Sequence, residues 1–147
     1  KNKLIAIYLA QESIEIVRQN RDNVWFGSIG DGDGEFLDET EFSDNMGVSV
    51  VPVQQNDPRK GWEINILANN DYKKVYINNG YYLQKNTSAP VAWEETGFER
   101  YLEIDNSAVG LVAPGCDINS CARIISHVLF NGTEIVTVTA YLYDDWY

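Results

Sequence analysis

Residues 4–10, LIAIYLA, are uniformly apolar and open a stretch that runs without glycine or proline to Gly27. Leu, Ala, Gln, Glu and Arg dominate it, which predicts one helix from residue 3 to about 24, within an N-terminal helical unit at 1–25. Such a helix would be about 33 Å long. Its two halves differ in character. Past Ala10, the polar residues Gln11, Glu12, Glu15, Arg18, Arg21 and Asp22 interleave with Ile14, Ile16 and Val17. A helix lying on a single core shows one apolar stripe along its whole length. An opening that is apolar all round therefore needs cover on every side, from its own core or from something outside this chain.

The rest of the chain reads differently. FGSIGDGDGEFLDETEFSDNMG, residues 26–47, is turn-rich and acidic and predicts a surface connection; the irregular region is taken as 26–61. Within it VSVVPV is extended, but Pro52 demotes it to an edge strand or a connector. From Trp62 onward, WEINILANN, DYKKVYINNGYYLQK and FERYLEID are short runs rich in Tyr, Ile and Val, separated by turn residues. They predict antiparallel strands over 62–147. The firmest local signal is RIISHVLFNGTEIVTVTAYLY, in which Asn131-Gly132 supplies a type I′ hairpin turn. Along its second strand Val136, Val138, Ala140 and Leu142 share one face, predicted to meet the core, and Ile135, Thr137, Thr139, Tyr141 and Tyr143 the other. A long helix on an antiparallel sheet is an α+β domain, and 147 residues make one such domain.

Charge narrows the partners. Lys and Arg number 11 against 22 Asp and Glu, a net charge of −11, which disfavours direct contact with nucleic-acid backbone or anionic membrane. The acidic run at 31–35, DGDGE, makes Asp31, Asp33 and Glu35 calcium candidates, because calcium takes six to eight oxygens. It is not an EF-hand loop, since Phe36 and Phe42 occupy the places of the glycine and the bidentate glutamate. The rival reading is a solvated acidic loop needing no metal. Cys116 and Cys121 enclose four residues in CDINSC. They can form a disulfide, stay free thiols or, with too few partners for a full set, ligate a metal.

Nothing in the chain spells an enzyme. G-x-S-x-G, H-E-x-x-H and glycine-rich phosphate loops are absent, and the single histidine, His127, sits in a strand-like run without a nucleophile partner. The expectation is a non-enzymatic domain. Trp25, Trp62, Trp93 and Trp146, with Tyr72, Tyr76, Tyr81 and Tyr82, are either ordinary strand residues or stacking platforms for sugars and protein partners. Asn86-Thr87-Ser88 and Asn131-Gly132-Thr133 match the glycosylation pattern, the second being explained as hairpin chemistry.

The words inside the helix carry a resemblance. LAQESIEIVRQNRDNVW, through Leu9, Ala10, Gln11, Glu12, Ile14, Glu15, Val17, Arg18, Arg21, Asp22, Asn23 and Trp25, resembles the opening helix of type IV pilins and type II secretion pseudopilins. The sheet half is similar by pattern: Gly80-Tyr81, then Phe98, Arg100 and Ile104, then a closing hairpin near Trp146. Ser13 stands where a glycine is more usual, and the leader, cleavage site and membrane-spanning stretch of such subunits are not part of this sequence.

The resemblance implies a pilin-like fold and a minor subunit of a pilus-like or secretion filament, whose helix continues upstream of Lys1. It implies that Leu4, Ile5, Ile7, Tyr8 and Leu9 face neighbouring subunits, while Ile14, Val17 and Trp25 hold the sheet. Its implied partners are other pilin or pseudopilin subunits and the inner-membrane assembly machinery. Its implied location is extracytoplasmic, membrane-anchored before assembly, in a surface filament or the periplasm. The alternative is a secreted module binding carbohydrate or calcium.

Overall fold

The helix forms where its composition places it: α1 spans Asn2–Trp25. A computed structural model describes residues 1–25, 49–54, 62–85, 87–105 and 121–143, apart from the side chains of residues 23–25, 54 and 63. Among the described residues α1 is followed by seven strands: β1 (Ser49–Gln54), β2 (Trp62–Ile66), β3 (Lys74–Asn78), β4 (Tyr81–Leu83), β5 (Glu94–Asp105), β6 (Cys121–Phe130) and β7 (Thr133–Tyr143). A 3-10 turn, Asn70–Lys73, leads into β3. All described pairings are antiparallel, so the chain is an α+β domain with one helix on one face of a seven-stranded sheet.

β5 is the long strand on which the sheet is built. One edge pairs with β6 from Phe98↔Phe130 to Asp105↔Arg123. The other edge is shared: its first half pairs β3, from Ile77↔Glu94 to Lys74↔Glu99, and its second half pairs β1 at Leu102 and Glu103. Between these two neighbours the amide of Gln84 donates to the carbonyl of Arg100 at 2.8 Å, so a side chain occupies the gap. Pro52 sits two residues past Val50, the last β1 residue paired with β5, where a missing N–H costs that ladder nothing. The sheet thus begins at Ser49, inside the stretch expected to be irregular, and β1 lies between β2 and β5, so it is neither an edge strand nor a connector.

The hairpin forms as its sequence dictates. Asn131 and Gly132 have φ of 48° and 80°, the double positive pair of a type I′ turn, and Asn79-Gly80 repeats it between β3 and β4 at 51° and 81°. Val136, Val138, Ala140 and Leu142 do line the core. Ile135 joins them because the register shifts at Val128/Leu129, leaving two β7 residues opposite one β6 residue.

α1 lies mainly over β6 and β7 through a stripe at helical spacing: Ala6, Leu9, Ala10, Ser13, Ile14, Val17 and Asn20 are buried. Upstream, Ala6, Leu9 and Ala10 pack on Val75, Phe98 and Val128. Downstream, Ile14 and Val17 pack on Val50, Leu102, Ile104, Ala122, Ile124 and Leu142. Small residues at 6, 10 and 13 let the helix axis come close to the sheet. Ser13 resolves its own polarity by donating to the Leu9 carbonyl at 2.8 Å. This corrects the assignment of Leu9 to a face turned toward neighbouring subunits: it is fully buried in its own domain, and Ile5 packs beside that cluster, whereas Leu4 is 73% exposed. Burial at Leu9 and exposure at Leu4 predict opposite outcomes in urea denaturation. Leu9→Ala should cost about 2–5 kcal/mol; Leu4→Ser should change stability by less than about 0.5 kcal/mol.

Candidate functional site

The groove beside the upstream half of α1 begins with a buried charge. Arg100 belongs to the core-facing set of β5, with Phe98, Leu102 and Ile104, and is wholly buried. Its Nε donates to Gln84 Oε1 at 2.7 Å, and its Nη1 donates to the Leu9 carbonyl at 3.1 Å and to Glu12 Oε2 at 2.6 Å. Its carbon centre stands 5.6 Å from the Trp62 ring. Nη2 has no hydrogen-bond partner among the described residues. Burial pushes the pKa of the guanidinium down, and the Glu12 carboxylate raises it again. Gln84, itself buried, also donates to the carbonyls of Tyr72 and Lys73. One arginine thereby ties helix, central strand and 3-10 turn together.

Glu12 reaches outward from this junction into a groove of about 370 Å³ whose walls include Tyr8, Trp62, Tyr81 and Tyr82. Tyr8 and Tyr82 meet at 6.3 Å between ring centroids. The charge of Glu12, then burial, holds the Tyr8 phenol above its ordinary value. Of the groove residues Tyr8 is 54% and Tyr81 71% exposed, and Leu4, one helical turn before Tyr8, is open as well. Of the five helix residues expected to face other subunits, Leu4 and Tyr8 therefore turn outward, Ile5 and Ile7 are half-buried, and Leu9 is not available.

A second concavity lies on the far side of the 3-10 turn. It is a cleft of about 480 Å³ bounded by Asn69 and Asp71, by Lys74 and Tyr76 of β3, by Trp93 just before β5 and by Glu95 at its start. Tyr76 and Trp93 stand 6.1 Å apart with their planes tilted by 53°. Lys74 Nζ lies 3.1 Å from Glu95 and 3.7 Å from Asp71, and Lys85 Nζ is 5.3 Å from the centre of the Trp93 ring. The Glu95 hydrogen bond raises the Lys74 pKa; burial, then Glu95, raises that of Tyr76. The segment 87–93 closes one wall through a turn in which the Trp93 N–H donates to the Pro90 carbonyl at 3.0 Å.

His127 takes the strand role its spacing indicated, on the sheet face opposite α1. Its Nε2 is 3.0 Å from Glu103 and its Nδ1 3.1 Å from Glu134, and its ring stacks on Tyr101 at 4.5 Å. The two carboxylates approach opposite sides of the imidazole, so they do not converge on a common point. Among the described residues no group of three or more His, Cys, Asp or Glu is placed to hold a metal. The calcium candidates Asp31, Asp33 and Glu35 lie outside the described residues, as does Cys116; Cys121 is disulfide-bonded.

Sequence reasoning passed over Arg100 as a buried anchor and the Trp93–Tyr76 cleft as a site. The signal for the first was available: Arg100 alternates in register with Phe98, Leu102 and Ile104, on the apolar face of its strand.

Two outcomes follow. Glu12→Ala strands a buried cation and should lower stability by about 3–5 kcal/mol, against less than about 0.5 kcal/mol for Glu15→Ala on the exposed surface, both read from urea midpoints. Glu134 is held below its ordinary value of 4.5 by the Thr137 hydroxyl and then by His127. A depressed carboxylate stabilises the fold above its unfolded pKa and loses that contribution as pH falls through the folded one. The Tm gap between the parent chain and Glu134→Gln should accordingly be present at pH 7 and close progressively below pH 4.5. Comparisons of the chain with protein-family models, with curated proteins and with solved structures give no match.

Proposed function

We propose that this chain is the globular domain of a filament subunit of the type IV pilin or pseudopilin kind, incorporated through the upstream end of α1. The observation that carries the reading is the unequal outer side of that helix. Leu4 and Tyr8, one turn apart, are open to solvent just past the exposed Lys1, Asn2 and Lys3, whereas farther along the exposed positions are Gln11, Glu15, Arg18 and Gln19. An apolar strip confined to one end of a helix, continuous with the Tyr81 rim of the groove, suits a neighbour that covers that end alone. The buried stripe beneath it holds the sheet independently, so the outer strip is free to serve a second partner.

In this reading the mechanism is assembly without chemistry. The helix continues upstream as the membrane anchor and then as part of a packed helical core; α1 as described is not itself long and apolar enough to cross a membrane. Subunits meet head to tail through unlike surfaces, which propagates a filament instead of closing a dimer. Partners are other such subunits and the inner-membrane assembly machinery, and the domain is displayed outside the cytoplasm. The pilin-like fold is part of the same proposal.

The test uses the full-length subunit in its native cells. Filaments sheared from the surface should yield peptides of this chain by mass spectrometry, with an N-methylated apolar terminus upstream of Lys1. Leu4→Asp combined with Tyr8→Ser should remove the subunit from filaments by about tenfold or more, while the Tm of the isolated domain stays within a few degrees of its parent. Recovery of the chain solely as a freely secreted species would overturn the assembly reading in favour of a secreted binding module.

A further inference from the structure

We propose that the cleft between the 3-10 turn and the start of β5 is a binding site for a neutral saccharide. Trp93 and Tyr76 supply its platform, and Asp71, Lys74 and Glu95 its polar rim. This site lies on a different surface from the assembly strip and stands whether the domain is displayed on a filament or released.

Size and composition are the first argument. A volume of about 480 Å³ lies in the range of small-molecule sites, roughly 300–1,000 Å³, and the walls join two aromatic rings to several hydrogen-bonding side chains. The rings form an angled corner, 53° between planes at 6.1 Å, so a ligand can lie on one ring and abut the other. Half-buried aromatic side chains at the lip of a polar cleft are costly to leave wet, and they gain from an apolar face laid against them.

The charges select the ligand class. The two carboxylates of the rim, Asp71 and Glu95, already have Lys74 between them, and Lys85 already stands over Trp93. A cationic ligand would have to displace the protein's own ammonium groups. An anionic ligand would meet two carboxylates in a domain of net charge −11. A neutral polyol avoids both conflicts. Its hydroxyls donate to the Asp71 and Glu95 carboxylates and accept from the Lys74 ammonium, while the C–H face of a pyranose ring covers an aromatic plane. Charge-assisted hydrogen bonds of this type fix orientation without needing charge on the ligand.

The site is also built on ordered elements. Lys74 and Tyr76 are held by the β3–β5 ladder, whose irregularity at Lys74/Tyr76 is matched on β5 by Gly97 at φ 80°. There the Thr96 hydroxyl donates to the Val75 carbonyl at 2.6 Å and accepts from the Phe98 N–H at 3.2 Å. A side chain at Gly97 would come within 2.9 Å of Asn131 Oδ1, so the bulge that aims Glu95 into the cleft requires glycine.

Titration of the isotopically labelled 147-residue chain with lactose, maltose, mannobiose and diacetylchitobiose, followed by 1H–15N NMR, tests the proposal. At least one of the four should give saturable shifts of the Trp93 indole N–H and the Tyr76 and Glu95 amides. Trp93→Ala should weaken that binding by about tenfold or more. Glu95→Ala, whose side chain is largely solvent-facing and spares the fold, should weaken it severalfold, and Tyr81→Ala, in the other groove, should leave it unchanged. Absence of saturable shifts with all four sugars would overturn the proposal. So would shifts centred on Tyr8 and Tyr81, or binding that survives both cleft substitutions. Saturation by choline or N-acetylneuraminic acid with no response to the neutral sugars would overturn the ligand class.

Discussion

The guanidinium of Arg100 is the interaction on which the rest of the structure hangs. A fully buried charge is tolerated only when it is paired and hydrogen-bonded. Here the partners come from two places that are far apart in sequence: Leu9 and Glu12 on the helix and Gln84 after β4. Meeting those bonds sets how far α1 slides along β5 and how it is rotated. That rotation turns Leu9 inward and Leu4 outward. The Leu9 carbonyl takes both the Ser13 hydroxyl and Arg100 Nη1, so a serine within the buried stripe becomes part of the same junction.

The same residue explains the shape of the sheet. β5 cannot offer a continuous edge to both β3 and β1, and the changeover falls at Arg100, where Gln84 takes the carbonyl that neither strand reaches. Gln84 also holds the carbonyls of Tyr72 and Lys73, so the 3-10 turn is pinned against the sheet from behind. Its front then forms one wall of the Trp93–Tyr76 cleft. The groove at Glu12 and the cleft at Glu95 thus share one buried hydrogen-bonded support, with a polar tip of that support exposed only in the first.

The two sheet faces have divided their work. The face under α1 carries Val50, Leu102, Ile104, Ile124 and Leu142. The opposite face carries ion pairs and stacked rings: Arg123 with Asp105, His127 between Glu103 and Glu134, and Tyr101 flanked by His127 and Lys73. Partly exposed pairs of this sort contribute little individually to stability. They leave a polar surface that does not compete with the apolar strip on α1 for an apolar partner.

What the sequence determined alone were the features whose causes are local. The span of α1 follows from twenty-odd residues without a breaker, and the β6–β7 hairpin from Asn131-Gly132 with an alternating strand after it. These need no distant partner, so propensity and periodicity suffice to read them. Tertiary structure decided the rest. The apolar opening looked uniform, yet Leu9 and Leu4 have opposite fates because the sheet covers one side of the helix only. Arg100 became an anchor through a contact 91 residues away, and β1 entered the sheet because the proline falls where β5 has already passed to other partners. The cleft needed two stretches, 69–76 and 87–95, to converge before Trp93 and Tyr76 became neighbours. Such outcomes depend on which surfaces meet: the alternation of Arg100 with Phe98, Leu102 and Ile104 marks its burial in the chain itself, but no local pattern names the partners that receive it.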